Sequence, residues 1–134
     1  MHAAIDDWQS GRADWIADWD TRGEVCRARF ADLIGAASER VALIPSVSVG
    51  VATVAAGLGA SDVVVAPDDE FTSVLFPLLV AARERGVQVR TVPLEQLAEA
   101  VDSATTLVAF SLVQSHSGRA ATVADVLEAA QRVG

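Results

Sequence analysis

Apolar runs and polar, turn-forming stretches alternate along most of the chain. Four runs read as strands: VALIP at residues 41–45, DVVVAP at 62–67, VQVRTVP at 87–93 and TTLVAFSLV at 105–113. They are nearly continuously apolar, as strands covered on both faces are. Between and after them lie helical patterns. Residues 49–58 form a helix of small residues. Residues 73–85 form a helix closed by Gly86, with Pro77 in or near its first turn, where a missing N–H matters least. Residues 94–101 read as a short helix. Residues 122–133 carry an apolar face of Val123, Val126, Leu127 and Ala130. Ahead of the strands, residues 3–19 are helical with a break at Gly11. A further helix over 23–34 ends at Gly35, where a C-cap belongs.

Strands alternating with helices predict an α/β domain, helices on both faces of a mostly parallel sheet. Residues 1–40 supply N-terminal helices and residues 41–134 the alternating part of a single domain. The chain has 134 residues and is 51% hydrophobic, which is enough for a core. A net charge of −8 argues against nucleic acid and anionic membranes as partners. All basic residues are Arg and none is Lys. Cys26 stands alone, so no internal disulfide forms and no zinc cluster is expected, which fits a cytoplasmic location. The N-terminus has neither the basic start nor the apolar stretch of a signal peptide. Residues 41–61 carry no charge over nearly a bilayer's length, but prolines, glycines and serines interrupt them. A buried strand running into a buried helix explains this run better than a membrane span.

In such sheets ligands sit beyond the carboxyl ends of the strands. The first end carries Ser46 and Ser48 before a helix N-terminus, where free N–H groups favour an anion; Ser48 as a plain N-cap is the alternative. The second reads PDDEFTS. Phe71 there stacks on a planar ligand or packs into the core, and Ser73 caps the next helix; the acids are expected in solvent. The third reads SLVQSHSG, with Gln114, Ser115, His116 and Ser117 ahead of Gly118. A Ser–His pair invites a hydrolase reading, but the strand–elbow pattern GxSxG is missing.

Taken in order, these pieces resemble the class V aminotransferases, pyridoxal-phosphate enzymes of fold type I that include cysteine desulfurases and kynureninases. RFADLIGA (29–36) matches the helix before the first sheet strand. VALIPSVSVGV matches that strand and its phosphate turn. DEFTSVLFPLL (69–79) matches the segment written E-F-P-S-x-x-x-P. GVQVRTVPLEQLAEAVDSATTLVAFSLVQSHSG (86–118) matches the stretch ending S-H-V-x-x-x-T-G. Thr72 replaces the usual Pro and Leu112 the usual His.

The resemblance implies that Ser48, with the Val49 and Gly50 backbone, holds a pyridoxal 5'-phosphate at the helix N-terminus. Phe71 lies on its ring, Ser73 is a neighbour of that site, and Gln114 and Ser115 are near the ring hydroxyl. The family attaches its cofactor to a Lys, and this chain has none. Its pyridine-facing Asp belongs to a strand that would begin after Gly134, and its substrate-binding segment would precede Met1. The chain thus reads as the front part of a cofactor domain, from a homodimeric parent acting on an amino acid. By itself it is expected to be inactive. A non-catalytic α/β module binding a phosphate-bearing ligand or a partner protein, or an inactive remnant, are the rival readings. Trp8, Trp15 and Trp19 are expected to pack an N-terminal helix against its own domain or a dimer mate.

Overall fold

The computed structural model describes residues 2–134, which divide into two compact units, Met1–Ile44 and Pro45–Gly134. In the first, α1 (His2–Gln9) ends before Gly11, whose φ of 70° suits glycine. The helix predicted over 3–19 is therefore divided more deeply than one glycine suggests. Asp14 restarts the chain. Its carboxylate accepts from the N–H groups of Ile16 (3.1 Å) and Ala17 (2.8 Å), opening a π-helical turn, Trp15–Asp20. This turn runs directly into α2 (Thr21–Ile34). Gly35 closes α2 at φ 67°, its N–H bonded back to the Ala31 and Asp32 carbonyls.

The second unit contains α3 (Val47–Ala55), β1 (Val63–Pro67), α4 (Thr72–Arg85), β2 (Gln88–Val92), β3 (Leu107–Val108) and α5 (Val123–Val133). Among the described residues the sheet has three parallel strands in the order β2-β1-β3. All five residues of β1 are buried, as befits a central strand covered on both sides. Side chains alternate across a strand, so Val64 and Val65 serve opposite faces. Val64 packs with Ala55, Val74, Leu78, Ala81 and Val87 under α3 and α4. Val65 packs with Leu94, Leu97 and Val126 toward α5. The fold is three-layered α/β, as the alternation predicted.

Four expectations need correction. Residues 41–45 form no strand. Strand geometry persists only where a neighbour pairs with it, and no described residue does so; Leu43 and Ile44 are exposed. The strand expected over 105–113 pairs for two residues only, Leu107 and Val108 with Val64 and Val65. Beyond it the Ser111 N–H donates to a side chain, Glu70, instead of to a strand. The segment then folds into a small loop closed by an antiparallel bridge between Val113 and Ala120. Residues 94–101 give only a 3-10 turn, Leu94–Gln96, and further turns. Pro77 sits in the second turn of α4, the sixth helical residue, where its missing N–H leaves the Ser73 carbonyl without its usual donor.

Candidate functional site

Where the first strand end was expected, the chain has a helix start, a short, local device. Ser46, in extended conformation, is the N-cap of α3, and its Oγ accepts from the Val49 N–H at 3.4 Å. Ser48 is not the cap. It stands inside the first helical turn, 2.9 Å from Ser46 Oγ through its own hydroxyl. The N–H groups of Val47 and Ser48 have no partner within the helix, because the first turn of any α-helix leaves its donors free. Gly50 donates to the Ser46 carbonyl and continues the helix. At the other end of α3, Arg85 donates to the Leu58 carbonyl through Nε (3.2 Å) and to the Ala55 carbonyl through Nη2 (2.8 Å). A cation thereby caps the negative end of the helix dipole.

The second strand end begins α4. Phe71, extended, is its N-cap without a side-chain cap bond, and Thr72 and Ser73 open the first turn. The two helices line a cavity of about 570 Å³. Ser48 and Val49 contribute from the start of α3, and Thr72, Ser73 and Phe76 from α4. Three hydroxyl side chains from the first turns of two helices thus border one end of the cavity, a place suited to an anion. The rest of its wall, including Ala52, Ala56, Pro77 and Val80, is apolar, and Arg85 stands at the far end. The structure brings together Ser48, Val49 and Ser73 of the predicted set. Gly50, Phe71, Gln114 and Ser115 of that set do not line the cavity. Phe71 is half exposed, at the foot of the same helix.

The third strand end is joined to the second by a residue that the sequence reading had placed in solvent. Glu70 is 6% exposed. Its carboxylate accepts four hydrogen bonds: from Ser111 N–H (2.7 Å), Ser111 Oγ (2.5 Å), Gln114 Nε2 (3.1 Å) and Phe71 N–H (2.8 Å). Burial pushes its pKa up, but the Ser111, Gln114 and Phe71 donors outweigh burial and hold it below the ordinary value. Of the three acids expected in solvent, Asp68 is exposed, Asp69 is half-buried and Glu70 is inside; Phe71 is half exposed and so does not pack into the core.

Gln114 is buried and its amide N–H₂ is used on Glu70 and on the Ser111 carbonyl (3.2 Å). Ser115 and His116 are exposed on the loop that follows. A second set of contacts holds that loop from its far side. Arg119 pairs with Glu95 (2.9 Å) and Asp69 (3.4 Å), and Ser117 Oγ donates to Asp69 at 3.4 Å. Glu70, Ser111 and Arg119 are the residues that sequence reasoning missed. Glu70 carried one faint signal, its position between a wholly apolar strand and an apolar helix. Its partner Ser111 lies 41 residues away, where no local pattern reaches.

The fold is that of a known class of protein. The aminotransferase class-V family profile matches residues 11–134, and the chain belongs to that family. Two solved structures are similar throughout. One is a complex between the cystine C-S lyase C-DES and its reaction product cysteine persulfide, with a TM-score of 0.77 and 18% identity. The other is a C-DES mutant with glycine covalently linked to the PLP cofactor, with a TM-score of 0.76 and 16% identity. Each match covers 98% of this chain and 38% of the C-DES chain, so this chain spans well under half of those enzymes. At that identity the likeness is one of fold. No curated protein matches at a significant level. Among the described residues no helix is long and apolar enough to cross a membrane.

Proposed function

We propose that this chain supplies the phosphate-holding and ring-facing part of a pyridoxal-phosphate enzyme that acts on an amino acid. The observation that carries this reading is the cavity shared by α3 and α4, which has hydroxyls at the starts of both helices and runs along their apolar sides to Arg85. Ser48, Thr72 and Ser73 bring hydroxyls there, and the first-turn N–H groups bring donors and the positive ends of two helix dipoles. These groups would bind a phosphate, with the Ser48 hydroxyl and N–H as its nearest holders, while the N–H groups of Val49 and Gly50 are already bonded to Ser46. Phe71 would lie against the ring, and Ser115 would face its hydroxyl from the neighbouring loop. Gln114 would act from below that loop, through the contacts that shape it. When bound, the cofactor supplies an electron sink for bonds broken at the α- or β-carbon of an amino acid.

The residues fit the phosphate end of that group and not its covalent attachment, since the sequence has no Lys. The chain alone is accordingly proposed to bind and orient without turning over. Transamination, desulfuration, epimerisation or β-cleavage, the homodimer and the cytoplasmic setting are proposed for the complete enzyme. The missing Lys also suits a second reading, a non-catalytic module that holds a phosphate-bearing ligand in the same cavity.

The test is a titration of the purified chain with pyridoxal 5'-phosphate, followed by absorbance and by assays with cysteine, alanine and kynurenine. Saturable binding that weakens about tenfold in Ser48→Ala, the loss of a charge-assisted hydrogen bond, is expected, with no turnover. Binding indifferent to Ser48→Ala would remove the phosphate assignment. Turnover by the chain alone would overturn the proposed inactivity.

A further inference from the structure

We propose that Glu70 is a positioning residue: its carboxylate fastens the Phe71 turn and residues 111–114 into one clasp, so that Ser115 is held at a fixed place relative to Phe71. The part this plays toward pyridoxal phosphate rests on the function proposed above. The clasp itself rests only on the contacts.

Three observations carry it. Glu70 is one of two buried polar residues among those described, and the other is its partner Gln114. All four of its close contacts are donors, so it acts as an anion stripped of water and replaced in solvation by the protein. Three of those donors belong to the third strand end and one to the second, so the carboxylate is common to both loops. The N–H of Ser111 leaves the sheet to reach it, and the strand stops after Val108. The clasp thus decides where the third loop departs from the sheet.

Asp69 adds a second fastening. It faces the far side of the same loop, where its Oδ2 accepts from Ser117 Oγ and pairs with Arg119. Adjacent acids therefore hold the loop before and after Ser115. Inside the loop, the Gly118 N–H donates to the Gln114 carbonyl and the Gln114 N–H to the Arg119 carbonyl, both at 2.8 Å. Gln114 is tied through its backbone and through Nε2, while its buried Oε1 has no partner, and Ser115, the next residue, is exposed.

A glutamine at position 70 tests this, because it keeps the volume but turns two acceptor oxygens into one acceptor and one donor. The full chain is examined as native protein, Glu70→Gln, Glu70→Asp and Ser111→Ala. Amide hydrogen exchange is read by NMR, and pyridoxal 5'-phosphate binding by titration. In Glu70→Gln the Ser111 amide is expected to exchange about tenfold faster or more, the scale of one lost hydrogen bond to a charged group. Amides in α3 and α5 should stay within about twofold, since opening is local. The Kd for pyridoxal phosphate should rise about tenfold, and Glu70→Asp, which keeps the carboxylate, should recover part of both effects.

Unchanged exchange at Ser111 overturns the clasp. Faster exchange there, with a Kd within about twofold of the native value, overturns positioning, because a merely structural bond would behave that way. Should Glu70→Gln not fold, Ser111→Ala removes the 2.5 Å hydroxyl donor more mildly, and the exchange of the Phe71 amide and the Kd decide by the same criteria. A native chain that binds no pyridoxal phosphate overturns the cofactor reading instead, and exchange at Ser111 still decides the clasp.

Discussion

The two units of this chain are built on different principles. Among the described residues of Met1–Ile44, only Ala31 is buried. Its helices are held by local devices: the Asp14 cap, the Gly35 C-cap, the i,i+3 pair of Arg27 with Glu24, and the tilted contact of Trp15 with Trp19 at 4.9 Å. Trp8, Trp15 and Trp19 remain about half exposed, so the packing expected of them is, within this unit, a contact between two of the rings. Pro45–Gly134 holds the other buried residues, most of them in two clusters on opposite faces of a sheet. Local hydrogen bonds give a helix its ends, but burial of apolar surface gives it a reason to stay folded in water. The candidate site belongs to the cored unit, where contacts 41 to 44 residues apart fix the loops around Glu70.

The strongest way to break that contrast is to open the core. Leu78 is fully buried in α4 against the sheet, and Leu78→Ala should cost about 2–5 kcal/mol by loss of transfer energy and a residual cavity. Urea unfolding followed by far-ultraviolet dichroism measures it. A loss under about 1 kcal/mol would mean that the second unit is not cored as described.

Next in size is the buried carboxylate. Glu70→Gln should cost about 1.5–3 kcal/mol at neutral pH, since hydrogen bonds to a charged group are lost. The pH dependence carries the sign. The folded pKa of Glu70 lies below its ordinary 4.5, so its contribution is fully present above that value. It is lost as pH falls through the lower, folded value. The native chain should therefore lose stability faster than Glu70→Gln on acidification below pH 4.5. Asp102 also lies below its ordinary value, through Arg90 and Thr105, but it is exposed and common to both proteins. Parallel acid profiles would show that Glu70 is not the buried anion described.

Smaller again is the cap of α3. Ser46→Ala should destabilise the second unit by about 1 kcal/mol, because the Val49 N–H loses its acceptor. Ser48→Ala should change stability by less than about 0.5 kcal/mol while weakening ligand binding. Reversed effects would return the cap to Ser48.

The least effect is expected from the first unit. Trp15→Ala removes the ring contact with Trp19 and should leave the second unit's unfolding midpoint within about 0.5 kcal/mol. A larger shift, read by hydrogen exchange at Val64 and Val65, would show that the two units are one cooperative body.

What the sequence alone determined follows from interactions between near neighbours. The all-apolar DVVVAP announced a central strand, and Gly35 and Gly86 announced helix ends, because each of those glycines takes a positive φ that other residues avoid. The helix start that brings Ser48 to a cavity was legible for the same reason, although the cap proved to be Ser46. Only the tertiary structure decided the rest. Residues 41–45 have a strand's composition and no partner, and pairing is not a property of one segment. The last strand stops early: the Ser111 N–H that would have continued it goes to Glu70, 41 residues before, and Pro67 at the end of β1 has no N–H to offer. An acid in the string DDE looks solvated until distant donors surround it, and hydropathy along the chain cannot register a hydrogen bond across the fold.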